Sequence, residues 1–285
     1  MTEPTVTGLI DDATTCIATA LDLPRRDARL DARVLAAHVL GVEPAWLIAH
    51  DTDAVPKRQI DAFQTLLAQR LRGVPIAYLT GRREFYGRPF LVSDAVLIPQ
   101  PDTELLVELA LARIPPEQAV AVLDLGTGSG CIALTLALER PLARVTAVDR
   151  SPAALAMAQR NAELLDTRVE FLVSDWFSAI GERRFDLIVS NPPYIAAADP
   201  HLARGDVRFE PLAALASGAD GLDDLRRLIA AACAHLQPGG ALLLEHGHDQ
   251  ATAVSSLLQQ SGIASPQSWN DLAGIPRVSG GQVSK

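Results

Sequence analysis

The sequence is poor in cysteine and has no long apolar run. Only 3 of its 285 residues are cysteines, and Cys16, Cys131 and Cys233 lie far apart, which argues against a disulfide framework and a cysteine-based metal site. No apolar stretch reaches the roughly 20 residues of a transmembrane helix. The start, MTEPTVTGLIDD, lacks the basic and apolar regions of a secretory signal. We therefore expect a cytoplasmic protein with no metal and no membrane partner.

Basic residues are also scarce relative to acidic ones. The chain has 25 Lys and Arg against 34 Asp and Glu, a formal net charge of −9. Such a chain repels a phosphate backbone overall. Its strongest basic cluster, Arg82, Arg83 and Arg88, is interrupted by Glu84. The balance disfavours nucleic acid as a direct partner and favours a protein or a small molecule.

Hydrophobic residues make up 48% of the sequence, which is enough to form the cores of two domains. Residues 1–80 are predicted to form a helical domain for substrate recognition. In residues 57–72 the apolar side chains recur at helical spacing, namely Ile60, Phe63, Leu67 and Leu71. Residues 81–118 are predicted to be a linker. Its alternating pattern predicts a hairpin that turns at Ser93 and Asp94, followed by a short helix over residues 103–112.

Strands and helices alternate from residue 120 onward. The predicted strands are residues 120–125, 145–148, 169–173, 187–190 and 241–245, and the predicted helices are residues 131–139, 151–165, 223–236 and 251–261. Apolar strands separated by helices are typical of a mostly parallel sheet with helices on both faces. The sequence therefore predicts an α/β domain over residues 119–285.

A glycine-rich loop follows the first of these strands. The segment VLDLGTGSG places Gly126, Gly128 and Gly130 between a strand and a helix, where a backbone can approach a ligand closely. Asp149 ends the next strand, where its carboxylate can accept from both hydroxyls of a ribose. The loop alone is equally compatible with a structural turn. The loop and Asp149 together favour a nucleotide-like ligand.

A second motif, Asn-Pro-Pro-Tyr, ends the strand in FDLIVSNPPY. Pro192 and Pro193 have no N–H, so their carbonyl groups can only accept hydrogen bonds. Asn191 adds an amide oxygen, and Tyr194 an aromatic face. Two acceptors beside a ring suit a planar group that bears an NH₂. The alternative is a rigid loop with a surface tyrosine.

These motifs, together with SDWF (174–177) and in this order, resemble a class I S-adenosylmethionine-dependent methyltransferase that acts on an amide or exocyclic amino nitrogen. Further segments resemble the peptide chain release factor glutamine methyltransferase family. They are PIAYLTGRREFYG (75–87), LIPQPDTELLVE (97–108), GDVRFEPLAAL (205–215) and LLLEHG (242–247). The resemblance implies a Rossmann-like methyltransferase fold after a small helical domain and a β-hairpin linker. Gln100 stands where the family usually has Arg, and the ending RVSGGQVSK is more polar than usual.

The resemblance also implies what each site residue does. The loop Gly126, Thr127, Gly128, Ser129 and Gly130 would hold the amino-acid part of S-adenosylmethionine, and Asp149 its ribose. Trp176 would pack near the adenine, and Asp175 would accept from its amino group. Asn191 and Pro192 would orient the acceptor nitrogen, with Pro193 and Tyr194 completing the substrate site.

The activity so implied is methylation of the glutamine in the Gly-Gly-Gln motif of release factors, a modification that supports translation termination. The rivals are an amino methyltransferase for a base in DNA or RNA, a nicotinamide-dependent oxidoreductase, and a non-catalytic binding protein of the same fold. Cys131, Glu245 and His246 are interpreted as structural residues, and Glu210 as a possible part of the acceptor pocket.

Overall fold

A computed structural model describes residues 4–284, so residues 1–3 and 285, at the ends of the predicted first and last domains, lie outside the described residues. The chain divides into two compact units between Arg82 and Arg83. This division lies close to the predicted boundary at residue 80. The segment 83–118, which we expected as a linker, belongs to the second unit.

The first unit is helical, as the sequence predicts. Its helices are α1 (Val6–Leu21), α2 (Arg25–Leu40), α3 (Trp46–Ala49), α4 (Lys57–Arg70) and α5 (Ile76–Thr80). The predicted apolar face of α4 is buried at Ile60 and Phe63. Within this core the Arg70 guanidinium lies 2.8 Å from the Asp31 carboxylate, so a charge on the buried face of α4 is neutralised.

The second unit is built on a seven-stranded sheet that follows a two-stranded hairpin. The strands are β1 (Arg82–Phe85), β2 (Arg88–Leu91), β3 (Ala121–Leu125), β4 (Arg144–Asp149), β5 (Glu170–Val173), β6 (Phe185–Ser190), β7 (Leu236–Glu245), β8 (Ala264–Asn270) and β9 (Pro276–Gln282). The sheet order is β5-β4-β3-β6-β7-β9-β8. The first five strands are parallel, and β9 is antiparallel to both its neighbours.

Helices cover both faces of this sheet. They are α6 (Thr103–Leu111), α7 (Cys131–Glu139), α8 (Pro152–Leu164), α9 (Asp223–Ala232) and α10 (Ala251–Gln260). Successive residues of a strand point to opposite faces of the sheet and pack into two different hydrophobic cores. Val122 packs with α6 and α7, whereas Leu123 packs with α9 and α10. This double burial explains the near-continuous apolar strands, and it confirms the predicted fold class.

The hairpin lies earlier than predicted. Its turn is formed by Tyr86 and Gly87, with φ angles of 52° and 72°, so both residues have the positive φ that a tight hairpin turn requires. Ser93 and Asp94 do lie in a turn, in which the Val96 N–H donates to the Ser93 carbonyl at 3.1 Å, but this turn joins no pair of strands, so the hairpin predicted there is wrong. Phe90 belongs to β2, whereas Val92, Val96 and Ile98 are buried outside the strands.

The polar C-terminal segment nevertheless forms two strands, β8 and β9, which we did not predict. A Cβ on Gly280 would lie 2.1 Å from the Leu242 carbonyl oxygen, so only glycine allows β9 to pair with β7 at this point. None of the helices in residues 4–284 has the length and apolar character needed to cross a membrane.

Candidate active site

A cavity of about 180 Å³ lies at the carboxyl ends of the central parallel strands. Nine of the predicted site residues line it, namely Gly126, Thr127, Gly128, Ser129, Asp149, Asp175, Trp176, Asn191 and Pro193. Three others do not line this cavity: Gly130, Pro192 and Tyr194. The two motifs, which lie more than a strand and a helix apart in sequence, therefore meet at one sheet edge, where ligands bind in open α/β folds.

Hydrogen bonds to β4 hold the backbone of the glycine loop in place. The N–H groups of Gly126 and Thr127 both donate to the Val148 carbonyl at 2.9 Å. A Cβ on Gly126 would lie 3.2 Å from the Trp176 ring. Gly128, with φ of 55°, faces open space. The loop is therefore open at Gly128, where a ligand can approach the backbone closely, and is packed against Trp176 at Gly126.

Gly130 has a packing role. Its φ is 82°, and an added Cβ would lie 2.9 Å from Leu134 and 3.1 Å from Ala158. It therefore lets α7 begin in close contact with α8. That Gly130 also contacts a cofactor stays a prediction.

Asp149 already holds two backbone groups. Its Oδ2 accepts from the Gly128 N–H at 2.9 Å, and its Oδ1 accepts from the Ser151 N–H at 2.8 Å. Each carboxylate oxygen can accept more than one hydrogen bond, so the side chain keeps acceptor capacity toward the cavity that it lines. The contacts fix its direction at the end of β4.

Trp176 and Asp175 border the cavity on the side of β5. The Trp176 backbone has a φ of 51°, and its indole N–H donates to Asp224 Oδ1 at 3.2 Å. The indole face is thereby placed against Gly126. The Asp175 carboxylate lies 2.8 Å from the Arg227 guanidinium and is half exposed. Asp175 is therefore held by an ion pair at the rim.

Asp124 lies beneath the loop and is fully buried. Burial raises the pKa of Asp124 to about 7, against the lowering effect of a hydrogen bond from Thr127. That hydrogen bond joins Thr127 Oγ1 to Asp124 Oδ2 at 2.6 Å. The carboxyl group therefore anchors the loop at its second residue.

The Asn-Pro-Pro-Tyr segment is held from both sides. The Asn191 side chain lines the cavity, and its Nδ2 donates to Thr103 Oγ1 at 3.1 Å. The Tyr194 hydroxyl donates to Glu245 Oε1 at 3.4 Å. Burial, followed by the nearby Glu245 charge, raises the pKa of the Tyr194 hydroxyl above its ordinary value. Tyr194 therefore stays protonated and turns its hydroxyl into the protein.

Two neighbours of the site were not among the predicted site residues, although Thr103 lies in the segment LIPQPDTELLVE that carries the family resemblance. Thr103 is on α6, and Asn161 is on α8. The buried Asn161 side chain donates to the Ser129 carbonyl at 2.8 Å and exchanges hydrogen bonds of 2.6 and 3.0 Å with the Leu91 backbone. It therefore ties the glycine loop to the hairpin. Only long-range packing brings these side chains to the site.

Two residues that we weighed against functional roles are buried. Burial raises the pKa of the Cys131 thiol to about 12, so this cysteine is a neutral packing residue. His246 is fully buried, with Nε2 2.7 Å from Ser279 Oγ. Within residues 4–284, no three side chains of His, Cys, Asp or Glu come together as a metal site.

Family models match both units. Residues 11–81 match the PrmC N-terminal domain, and residues 101–205 match the methyltransferase small domain. A release factor glutamine methyltransferase from Bordetella pertussis is 55% identical over 90% of this chain and 95% of its own length. The protein of that description from Escherichia coli is 47% identical over 92% of this chain and 94% of its own.

Solved structures agree with the fold. A Thermus thermophilus 16S rRNA N2 G1207 methyltransferase in complex with AdoMet and guanosine superposes with a TM-score of 0.53 and 25% identity, covering 71% of this chain and 49% of that chain. A methyltransferase from Pyrococcus furiosus superposes with a TM-score of 0.55 and 19% identity, covering 78% of this chain and 100% of that one.

Proposed function

This chain belongs to the release factor glutamine methyltransferase family, and from that membership we propose that it transfers a methyl group from S-adenosylmethionine to the side-chain amide nitrogen of a glutamine in peptide chain release factors. The structural observation on which the proposal rests is the position of Asn191. Its side chain lines the same cavity as the glycine loop and Asp149, so the acceptor group and the methyl donor can meet there.

The cavity residues fit the methyl donor. Gly128 faces open space, Gly126 leaves room for the Trp176 ring, and the Asp149 carboxylate has free acceptor capacity beside them. We assign the amino-acid part of the donor to the loop 126–130 and the ribose to Asp149. The Trp176 indole would border the adenine, with Asp175 at its rim. When bound, S-adenosylmethionine supplies a methyl group already activated by the positive charge on sulfur.

The acceptor is the difficult partner in this reaction. An amide nitrogen is a poor nucleophile because its lone pair is delocalised into the carbonyl group. The Asn191 Oδ1 and the Pro192 carbonyl would accept the two N–H bonds of the glutamine amide and orient its nitrogen. Both contacts become stronger as positive charge builds on that nitrogen, so they favour the transition state over the ground state. The surplus proton then leaves the nitrogen to water.

Tyr194 and Pro193 complete the acceptor site. The Tyr194 hydroxyl is anchored by Glu245, and its backbone N–H donates to the Leu215 carbonyl at 3.2 Å. Because Tyr194 is held at its hydroxyl and at its backbone N–H, its ring would pack in a fixed position against the plane of the glutamine amide. Pre-orientation of this kind lowers the entropic cost of bringing donor and acceptor together.

The partner is a protein, and the helical first unit selects it. The net charge of −9 supports a protein acceptor over the phosphate backbone of a nucleic acid.

The test offers labelled S-adenosylmethionine to the purified protein with a release factor, DNA and RNA in parallel. Label should enter the release factor only, and a release factor with Ala in place of the Gly-Gly-Gln glutamine should stay unlabelled. The Asn191→Ala variant should bind the donor and transfer no label. Label in DNA or RNA without label in the release factor would overturn the proposal.

A further inference from the structure

Thr103 contacts the proposed acceptor site from outside both sequence motifs. It begins α6, its side chain is 2% exposed, and it lines the cavity. Its Oγ1 is 3.1 Å from Asn191 Nδ2. A threonine hydroxyl oxygen can accept in such a pair, and here the Asn191 NH₂ group donates to it.

Glu245, at the end of β7, is also buried. It is 2% exposed, and burial raises the pKa of Glu245 to about 7. Its Oε1 accepts from the Tyr194 hydroxyl at 3.4 Å, whereas its Oε2 has no hydrogen-bond partner among the described residues. The contact that fixes the Asn191 amide is therefore its hydrogen bond to Thr103, in which the Asn191 NH₂ group is the donor and the threonine oxygen the acceptor.

This hydrogen bond determines which way the Asn191 amide faces. An amide has one oxygen and one NH₂ group at its end, and the two are nearly equal in size. If the NH₂ group is bound to Thr103, the oxygen must face away from Thr103. A reversed amide would present NH₂ to an incoming glutamine NH₂, and two donors cannot pair.

We infer that Thr103 is a positioning residue, which accepts a hydrogen bond from the Asn191 NH₂ group and so keeps Asn191 Oδ1 available to the methyl acceptor. This inference rests on the proposed role of Asn191 as a hydrogen-bond acceptor for the substrate amide. It extends the site to α6, which contributes neither to the glycine loop nor to the Asn-Pro-Pro-Tyr segment.

The test compares Thr103→Val with Thr103→Ser in the full-length protein. Valine keeps the shape of threonine and removes the hydroxyl, whereas serine keeps the hydroxyl. Loss of one net hydrogen bond that orients the amide should lower kcat about tenfold in Thr103→Val. Thr103→Ser should restore kcat to within about threefold of wild type. The KM for the release factor and the Kd of S-adenosylmethionine from calorimetry should change by less than about threefold in both.

Thr135→Val is the matched control. Thr135 is also fully buried in the second unit, and its Oγ1 has no hydrogen-bond partner among the described residues. This variant makes the same chemical change without a contact to the site, so its kcat should equal that of wild type. A general effect of Thr→Val substitution would lower both variants alike.

Thr103→Ala gives a second measurement if Thr103→Val fails to fold. It also removes the hydroxyl that holds the Asn191 NH₂ group, so kcat should again fall about tenfold. Wild-type kcat in a folded Thr103→Val, or a loss confined to donor affinity, would overturn the inference. A wild-type protein that does not methylate a release factor would instead overturn the proposed function.

Discussion

Glu210 offers a test of the electrostatics around the cavity. It is 8% exposed, and its Oε2 accepts from the Ile98 N–H at 2.8 Å. Burial raises the pKa of Glu210 from 4.5 to about 7, opposed by that hydrogen bond and aided by the Asp206 charge. The substitution Glu210→Gln keeps an acceptor for Ile98 and removes the ionisation.

The direction in which stability changes with pH follows from the protons that the folded and the unfolded chain bind. Below about pH 4.5 the carboxyl is protonated in both the folded and the unfolded chain and has no effect on pH dependence. As pH rises toward 7, the unfolded chain releases the proton and the folded chain retains it, so stability falls. One pKa unit corresponds to about 1.4 kcal/mol. Between pH 5 and 8 the free energy of unfolding of the wild type should therefore fall by about 2.5 kcal/mol relative to that of Glu210→Gln.

Urea unfolding at pH 5 and pH 8, followed by tryptophan fluorescence, measures this difference. Glu117→Gln is the matched control, because Glu117 is an exposed glutamate of the same unit. Its difference from wild type should be the same at both pH values. If the difference between Glu210→Gln and wild type also changed by less than about 0.5 kcal/mol, Glu210 would not be protonated by burial and the reasoning would be refuted.

Three further predictions concern the loop. Gly130→Ala should lower the free energy of unfolding by about 2 kcal/mol in thermal unfolding, because of its positive φ and the collision with Leu134. Asn161→Ala should lower it by about 3 kcal/mol in urea, because three buried hydrogen bonds are lost. Asp149→Asn should keep the fold and weaken S-adenosylmethionine binding at least about tenfold in calorimetry, because a neutral amide replaces a carboxylate that accepts at both oxygens.

A specific result would contradict each of these three predictions. Gly181→Ala also has a positive φ, of 63°, with open space around the added Cβ, so it should cost less than Gly130→Ala, and equal losses would exclude the collision. A loss below about 1 kcal/mol for Asn161→Ala would mean that water replaces its contacts. Unchanged donor affinity in Asp149→Asn would remove Asp149 from the ribose site.

The sequence was sufficient to predict the five parallel strands of the sheet and the meeting of the two motifs. Parallel strands end at one edge, so Asp149 and Asn191, each at the end of a predicted strand, had to lie near the glycine loop. That argument depends only on element type and direction. It needs no side-chain contact, which explains why it succeeded.

The predicted position of the hairpin was wrong for a physical reason. Alternation reports which side chains are buried, and Phe90 and Ile98 are indeed buried. Strand pairing depends on turn geometry instead. A tyrosine with positive φ at position 86 is uncommon, and the adjacent Gly87 was interpreted as a break between elements rather than as half of the turn.

The side chains behind the site could not be predicted because their contacts are distant in sequence. Thr103 and Asn191 are separated by 88 residues, and no periodicity relates a helix start to a loop beyond a sheet edge. The chemistry of the site nevertheless depends on this pair. A motif can supply an amide at the correct place, but a neighbouring acceptor determines whether the oxygen or the NH₂ group of that amide faces the substrate. Thr103 accepts from the Asn191 NH₂ group, so a residue that does not touch the substrate can set the orientation of one that does.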